Sequence, residues 1–84
     1  MIQIIDVSAI DCPEFVPLAN LIESIQKFGI VEPLVITMID NRPKIVDGMA
    51  RLNAARKLGI VTVPCVIVAM TDGQVQEYRE INDR

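Results

Sequence analysis

The stretch Ile45-Val46-Asp47-Gly48-Met49-Ala50-Arg51-Leu52-Asn53-Ala54-Ala55-Arg56-Lys57-Leu58-Gly59 constrains this chain more than any other. It reads as a short strand ending in Asp-Gly, followed at once by an alanine-rich helix that closes on a glycine. A backbone that turns from strand into helix at a glycine leaves free N–H groups at the positive end of the helix. That is an environment suited to a phosphate or a carboxylate. Gly48 either lets an anion approach the backbone closely or simply serves a tight turn. Arg51, one turn into the helix, can clamp a phosphate or pair at the surface with Asp47 or Asp83. Asp47 can cap the helix amides, or meet a metal or a ribose hydroxyl. Met49 and Ala50 complete the candidate ligand-binding turn.

Charge points to the same place. Residues 42–57 carry five basic side chains (Arg42, Lys44, Arg51, Arg56, Lys57) and one acid, Asp47, a local charge of +4 in a chain whose net charge is −3. The rest of the chain therefore carries −7. Arg42, Lys44, Arg56 and Lys57 are read as supporting positive potential for an anion near Gly48, against the alternative of a solvated basic helix face. The negative total argues against a free-standing, non-specific DNA binder.

Half of the 84 residues are hydrophobic, yet only two Phe and one Tyr are present, so the core must come from Ile, Val, Leu, Ala and Met. Such a composition excludes disorder and fits one small α/β domain over residues 1–84. No apolar run reaches membrane-span length and no signal pattern opens the chain, which implies a soluble cytoplasmic protein with no membrane partner. Cys12 and Cys65 have no CxxC spacing and the chain has no histidine. This pattern builds neither a disulfide framework nor a metal site, and it excludes imidazole chemistry. Cys65 reads as a core residue, and Cys12, before a proline in a loop, as an ordinary structural or exposed cysteine, against the alternative of a reactive thiol.

In chain order, residues 2–7 read as the first strand and 8–17, with two prolines, as a surface loop. Residues 18–28 form the clearest helix. Leu18, Leu21, Ile22, Ile25 and Phe28 share one face expected to pack on a sheet, Pro17 suits the first turn and Gly29 closes it. A strand over 34–39, turn chemistry over 40–43 and a returning strand over 44–46 make a hairpin that delivers the chain to Asp47-Gly48. In the helix over 49–58, Met49, Leu52, Ala55 and Leu58 face inward, with Arg51, Asn53, Arg56 and Lys57 largely outward. A strand over 63–69 and a third helix from 74 to the end, with Val75, Tyr78 and Ile81 on one side, complete the reading. The fold class is α+β (mixed α/β), a small mixed sheet of about four strands flanked by three helices.

An internal echo runs through the chain. Lys27-Phe28-Gly29-Ile30-Val31-Glu32-Pro33-Leu34-Val35-Ile36 resembles Lys57-Leu58-Gly59-Ile60-Val61-Thr62-Val63-Pro64-Cys65-Val66-Ile67-Val68, with one residue inserted. It marks either a duplicated helix–strand unit or two uses of one Gly-capped route into a proline-started strand.

The order of these motifs resembles the ParB N-terminal domain family. The segment Leu21-Ile22-Glu23-Ser24-Ile25-Gln26-Lys27-Phe28-Gly29-Ile30-Val31-Glu32-Pro33-Leu34-Val35-Ile36 is similar to its helix, glycine exit, proline and strand. The stretch 45–59, followed by Val63-Pro64-Cys65-Val66-Ile67-Val68, is similar to its glycine–arginine helix and closing strand. The resemblance spans positions 2–69 and implies the ParB/sulfiredoxin fold, shared by partition proteins, sulfiredoxins and free serine kinases.

What the resemblance implies about function is specific to residues. In partition proteins a Gly-Glu-Arg-Arg box binds nucleotide phosphates and supports CTP hydrolysis. Gly48 matches its glycine and Arg51 its last arginine, while Met49 and Ala50 replace the acid and the first arginine that hydrolysis uses. At the sulfiredoxin nucleophile stands Met49, so that activity is rejected. Glu80-Ile81-Asn82-Asp83-Arg84 loosely resembles the segment that completes the partition-protein nucleotide site. No helix-turn-helix follows it within the sequence, so DNA is expected to be reached through a partner or a further domain. Three readings result. The first is a nucleotide- or phosphate-binding domain (CTP, or ATP/ADP, with Mg²⁺) in DNA partition or transcription-related regulation. The second is a phosphoryl-transfer enzyme in which Asp47 or Glu32 assists. The third is a homodimerising or docking module.

Overall fold

In the computed structural model, which describes residues 1–82, the chain runs β1 (Ile2–Asp6), a 3-10 turn (Val7–Ala9), α1 (Ala19–Phe28), β2 (Leu34–Ile39), β3 (Arg42–Asp47), α2 (Met49–Leu58), β4 (Thr62–Ile67) and α3 (Asp72–Ile81). The strands form one sheet in the order β1-β4-β2-β3. β1–β4 and β2–β3 are antiparallel, and the central β2–β4 pair is parallel. The expected mixed four-stranded sheet with three helices is the observed fold.

The echo in the sequence turns out to be the central register itself. Leu34, Val35 and Ile36 lie opposite Cys65, Val66 and Ile67, the residues they match when the two segments are aligned by their prolines. The two helix exits differ in detail. Gly59 is left-handed (φ 71°, ψ 22°), and Ile60 N–H reaches Ala55 C=O at 2.9 Å in a Schellman close. Gly29 has φ 72° but ψ −169°, an extended exit.

The hairpin is tighter than the turn chemistry over 40–43 suggests. Asp40 and Asn41 both take positive φ (50° and 63°), giving a two-residue turn flanked by the Ile39–Arg42 pair, so β3 begins at Arg42. Pro43 is tolerated inside β3 because β3 is an edge strand and its missing N–H faces outward. That outer edge is partly covered: Asp11 N–H donates to Pro43 C=O at 2.8 Å, and Ile45 N–H donates to Asp11 C=O at 3.0 Å.

One sheet face carries Leu34, Ile36, Ile45, Val63 and Cys65, packed with Leu52 and Ala55 of α2 and with Val7, Ile10 and Cys12. On the other face, α3 sits against β3 and buries Val75. Thr37 Oγ1 accepts Met70 N–H at 3.1 Å, which ties the approach to α3 onto the sheet. A capping box, Thr71 with Gln74, starts α3 at Asp72, two residues before the expected start.

Two expectations need correction. The helix over 18–28 does not pack mainly on the sheet: α1 leans on α2, Leu18 is its N-cap rather than a helical residue, and only Ile25 is buried along it. The small side chains Ala54 and Ala55 let α2 take the place nearest the strands, leaving α1 in an outer layer with Leu18 and Phe28 exposed. Nor is residue range 8–17 merely a surface loop, because Ile10, Cys12 and Pro17 are buried.

Asn53 explains how that loop is held. Expected outward, it is 5% exposed and makes a full set of bonds. Its Nδ2 donates to Pro13 C=O and Met49 C=O, both at 2.9 Å, and its Oδ1 accepts Phe15 N–H at 3.3 Å and Arg56 Nη1 at 3.2 Å. Arg56 continues the lacing, donating to Cys12 C=O and Ile10 C=O at 3.3 Å each. A buried amide of this kind contributes chiefly because its partners have no other way to be satisfied. Asn53→Leu keeps the volume and removes all of these bonds, together with a weaker one from Nδ2 to Cys12 Sγ at 3.9 Å. Urea unfolding of that variant is expected to show a loss of about 2–4 kcal/mol, and a loss below about 0.5 kcal/mol would remove Asn53 from this role.

Candidate functional site at the β3–α2 turn

β3 runs out of ladder partners at Asp47, and the chain reverses into α2 through Gly48, the helix N-cap, at φ 107° and ψ 24°. Two constraints demand glycine there. The dihedral is one that L side chains rarely adopt, and an added Cβ would lie 3.0 Å from both Arg51 Nη2 and Leu34 Cγ. The space Gly48 leaves open is therefore occupied by the Arg51 guanidinium.

Arg51 is pinned from its other side. Its Nη1 donates to the carbonyls of Glu32 and, at 2.9 Å, of Pro33. These bonds tie the chain just before β2 to the first turn of α2. The guanidinium is therefore not a wholly free clamp, since its Nη1 is committed to backbone oxygen. Asp83, like Arg84, lies outside the described residues.

Around this junction a cavity of about 200 Å³ is lined by Leu21, Glu32, Asp47, Gly48, Met49, Ala50 and Arg51. All six candidates drawn from the sequence at the junction are thus brought together. Leu21 of α1 was not among them. Its position on the apolar face of α1 was visible, but the closeness of α1 to this turn was not. The field in the cavity combines the positive start of α2 and the Arg51 guanidinium with the carboxylates of Glu32 and Asp47. An anion bound there would sit against amides and Arg51 and away from the two acids. Among the described residues no cluster of three metal-ligating side chains occurs.

The other basic residues do not gather at this site. Arg42 and Lys44 line a separate cavity with Asp11, Asp40 and Asp72, and Lys44 Nζ pairs with the Asp72 carboxylate. Arg56 is spent on loop carbonyls, and together with Lys57 it lines a groove with Glu14, Phe15, Val16 and Pro17. The local charge of +4 is therefore a feature of sequence that the fold distributes over several surfaces. Arg79 was missed altogether. From α3 it donates through Nη2 to Ile45 C=O, its Nε is buried without a partner among the described residues, and with Met49, Gln76 and Glu80 it lines the cavity on the far side of Met49. Tyr78, on the same helix, is half-buried.

Both thiols are buried, and burial pushes each up from its ordinary value, in Cys12 against the opposing pull of Arg56. Burial and the raised thiol pKa both favour the protonated, less reactive form. Because the folded protein holds these protons more tightly than the unfolded chain, their stabilising contribution is complete below the ordinary thiol pKa. It is lost as pH rises through the folded values. Iodoacetamide at neutral pH should label the native protein far more slowly than the urea-unfolded chain; equal rates would contradict the burial. Gly48→Ala, strained at φ 107° and crowded by Arg51 and Leu34, should lower stability by about 1–3 kcal/mol in urea melts.

No helix among the described residues is long and apolar enough to cross a membrane. Compared with known proteins, residues 2–82 match the family described as the ParB N-terminal domain. A probable chromosome 2-partitioning protein ParB of Deinococcus radiodurans is 34% identical over 59 residues, covering 70% of this chain and 20% of that protein. The chain thus spans about a fifth of the length of that relative. A C-terminally truncated ParB of Caulobacter crescentus, solved with CTP-γ-S, has the same fold at a TM-score of 0.76 and 23% identity, covering 100% of this chain and 54% of that one. A free serine kinase solved with AMP is similar at a TM-score of 0.70 and 26% identity, covering 84% of this chain and 32% of that one.

Proposed function

The chain belongs to the ParB N-terminal domain family, and from that premise we propose that the cavity at the β3–α2 turn binds the phosphates of a nucleotide in a partition-related protein. The observation that carries the reading is the meeting of Gly48, the start of α2 and the Arg51 guanidinium in one cavity. Phosphate oxygens would accept from the first amides of α2, with the Nη2 side of Arg51 neutralising charge and Nη1 left on the loop carbonyls. Met49 and Ala50 supply backbone only. Asp47 would face a ribose hydroxyl or, with Glu32, a Mg²⁺ ion. Such an ion is commonly held by one or two carboxylates together with the phosphates it accompanies, and Glu32 and Asp47 are the carboxylates that line the cavity. The serine kinase solved with AMP supports an adenine nucleotide, and the family resemblance supports CTP.

Binding is favoured over hydrolysis, because neither Met49 nor Ala50 can polarise water or neutralise a second phosphate. A phosphoryl-transfer reading draws on Glu32, which lies at the cavity with its backbone fixed by Arg51. The scattered basic side chains and the net charge of −3 support DNA contact through a partner or further domain rather than through these residues alone.

Titration with CTP, ATP, ADP and AMP in the presence of Mg²⁺ should move the amide signals of residues 48–53 for at least one nucleotide. Silence with all four overturns the reading. Arg51→Ala should weaken the active nucleotide by about tenfold or more. Phosphate release or transfer that Glu32→Ala abolishes would move the protein to the enzymatic reading.

A further inference from the structure

The carbonyl that Arg51 takes at Glu32 lies just ahead of the β2–β4 ladder. In the β2–β4 ladder, Val68 N–H donates to Ile36 C=O at 2.9 Å, and the register sets Ile36 opposite Ile67 and Leu34 opposite Cys65. Parallel rungs recur every second residue. Continued toward the start of β2, the same register would send the N–H of position 64 to the carbonyl of Glu32. Position 64 is proline and has no N–H. The acceptor left over is the one that Arg51 Nη1 takes, together with its neighbour Pro33 C=O.

We infer that Pro64 is a positioning residue for the β3–α2 cavity: by withholding a ladder donor from Glu32 it gives Arg51 an anchor that holds the guanidinium over Gly48. With Nη1 engaged on two carbonyls, Nη2 is left on the Gly48 side, 3.0 Å from where a Cβ would stand. One end of the fork is therefore oriented before any ligand arrives. Orientation of this kind spares a ligand the loss of rotamer freedom in a long side chain. It also explains why a residue on β4, which does not line the cavity, bears on it. The functional half of the inference rests on the phosphate-binding reading; the structural half does not.

A double-mutant cycle separates the two. Urea unfolding is measured for the parent, Arg51→Met, Pro64→Val and the double variant, with Pro64→Ala as a second donor-restoring change should the valine variant not fold. In the Pro64 variant a backbone N–H is available to Glu32, so the fold-loss in folding constant caused by Arg51→Met should shrink by about fivefold. Equal losses in both backgrounds overturn the inference. The Arg51 guanidinium NMR signals give a readout that a purely structural proline would not move. They should be held apart by slow rotation in the parent and collapse toward those of a free arginine in Pro64→Val. Free-arginine signals in the parent overturn the inference as well. Nucleotide affinity, by the titration above, should fall about 2–10-fold in Pro64→Val. Coupling in the cycle with no nucleotide bound by the parent keeps the anchor and sinks the phosphate reading. Nucleotide binding by the parent without coupling does the reverse. Coupling with unchanged affinity removes the positioning role.

Discussion

A single guanidinium joins the three pieces of backbone that meet at the candidate site. Arg51 rests on the bare Cα of Gly48, reaches the carbonyls of Glu32 and Pro33, and belongs to the first turn of α2. Its bonds tie the chain leaving α1 to the first turn of α2, beside the end of the β2–β3 ladder at Val35 and Asp47. The same side chain thus does two things that are usually divided, closing a gap in main-chain hydrogen bonding and offering cationic edge to a cavity. That double duty shifts the balance of the pocket. On the proposed reading, the committed arginine and the helix start would hold an anion in one pose, on the side of the cavity away from Glu32 and Asp47.

The elements were legible in the sequence wherever the pattern was local. The stretch 45–59 resolved into strand, glycine and helix because each step has its own signature, and α2 falls at Met49–Leu58 as expected. The strand at Leu34–Ile39 was equally plain from its apolar run. The start of α3 is set by a Thr71–Gln74 capping box, a T-x-x-Q spacing that lies just ahead of the helix expected from residue 74. What stayed hidden was tertiary. Asn53 has the polarity of a surface residue, and only the passage of residues 12–15 beneath α2 makes it a buried hub. Likewise α1 has the amphipathic stripe of a helix on a sheet, but α2, with its alanines, lies closer to the strands.

The site followed the same division. The residues contiguous with the turn, together with Glu32, converge as the motif implied. The basic residues did not, because charge counted along a chain ignores which way each element points. Lys44 alternates off β3 toward Asp72, and Arg56 sits more than a full turn beyond Arg51, among loop carbonyls. Family resemblance ranks residues by motif position, so it selected Gly48 and Arg51, took Leu21 only as part of a helix, and did not reach Arg79.

The central register has a consequence for how such a chain tolerates changes of length. From Gly29 to Pro33 there are three intervening residues, and from Gly59 to Pro64 there are four, yet Leu34 and Cys65 still stand opposite one another. The extra residue is absorbed upstream of the proline, where β4 sets out early to meet β1. Downstream of either proline no such slack exists, since a slip by one residue would turn Leu34 and Ile36 out of the core and Val35 into it. Insertions and deletions should therefore accumulate between each helix-closing glycine and its proline, and the prolines mark where the reading frame of the sheet begins.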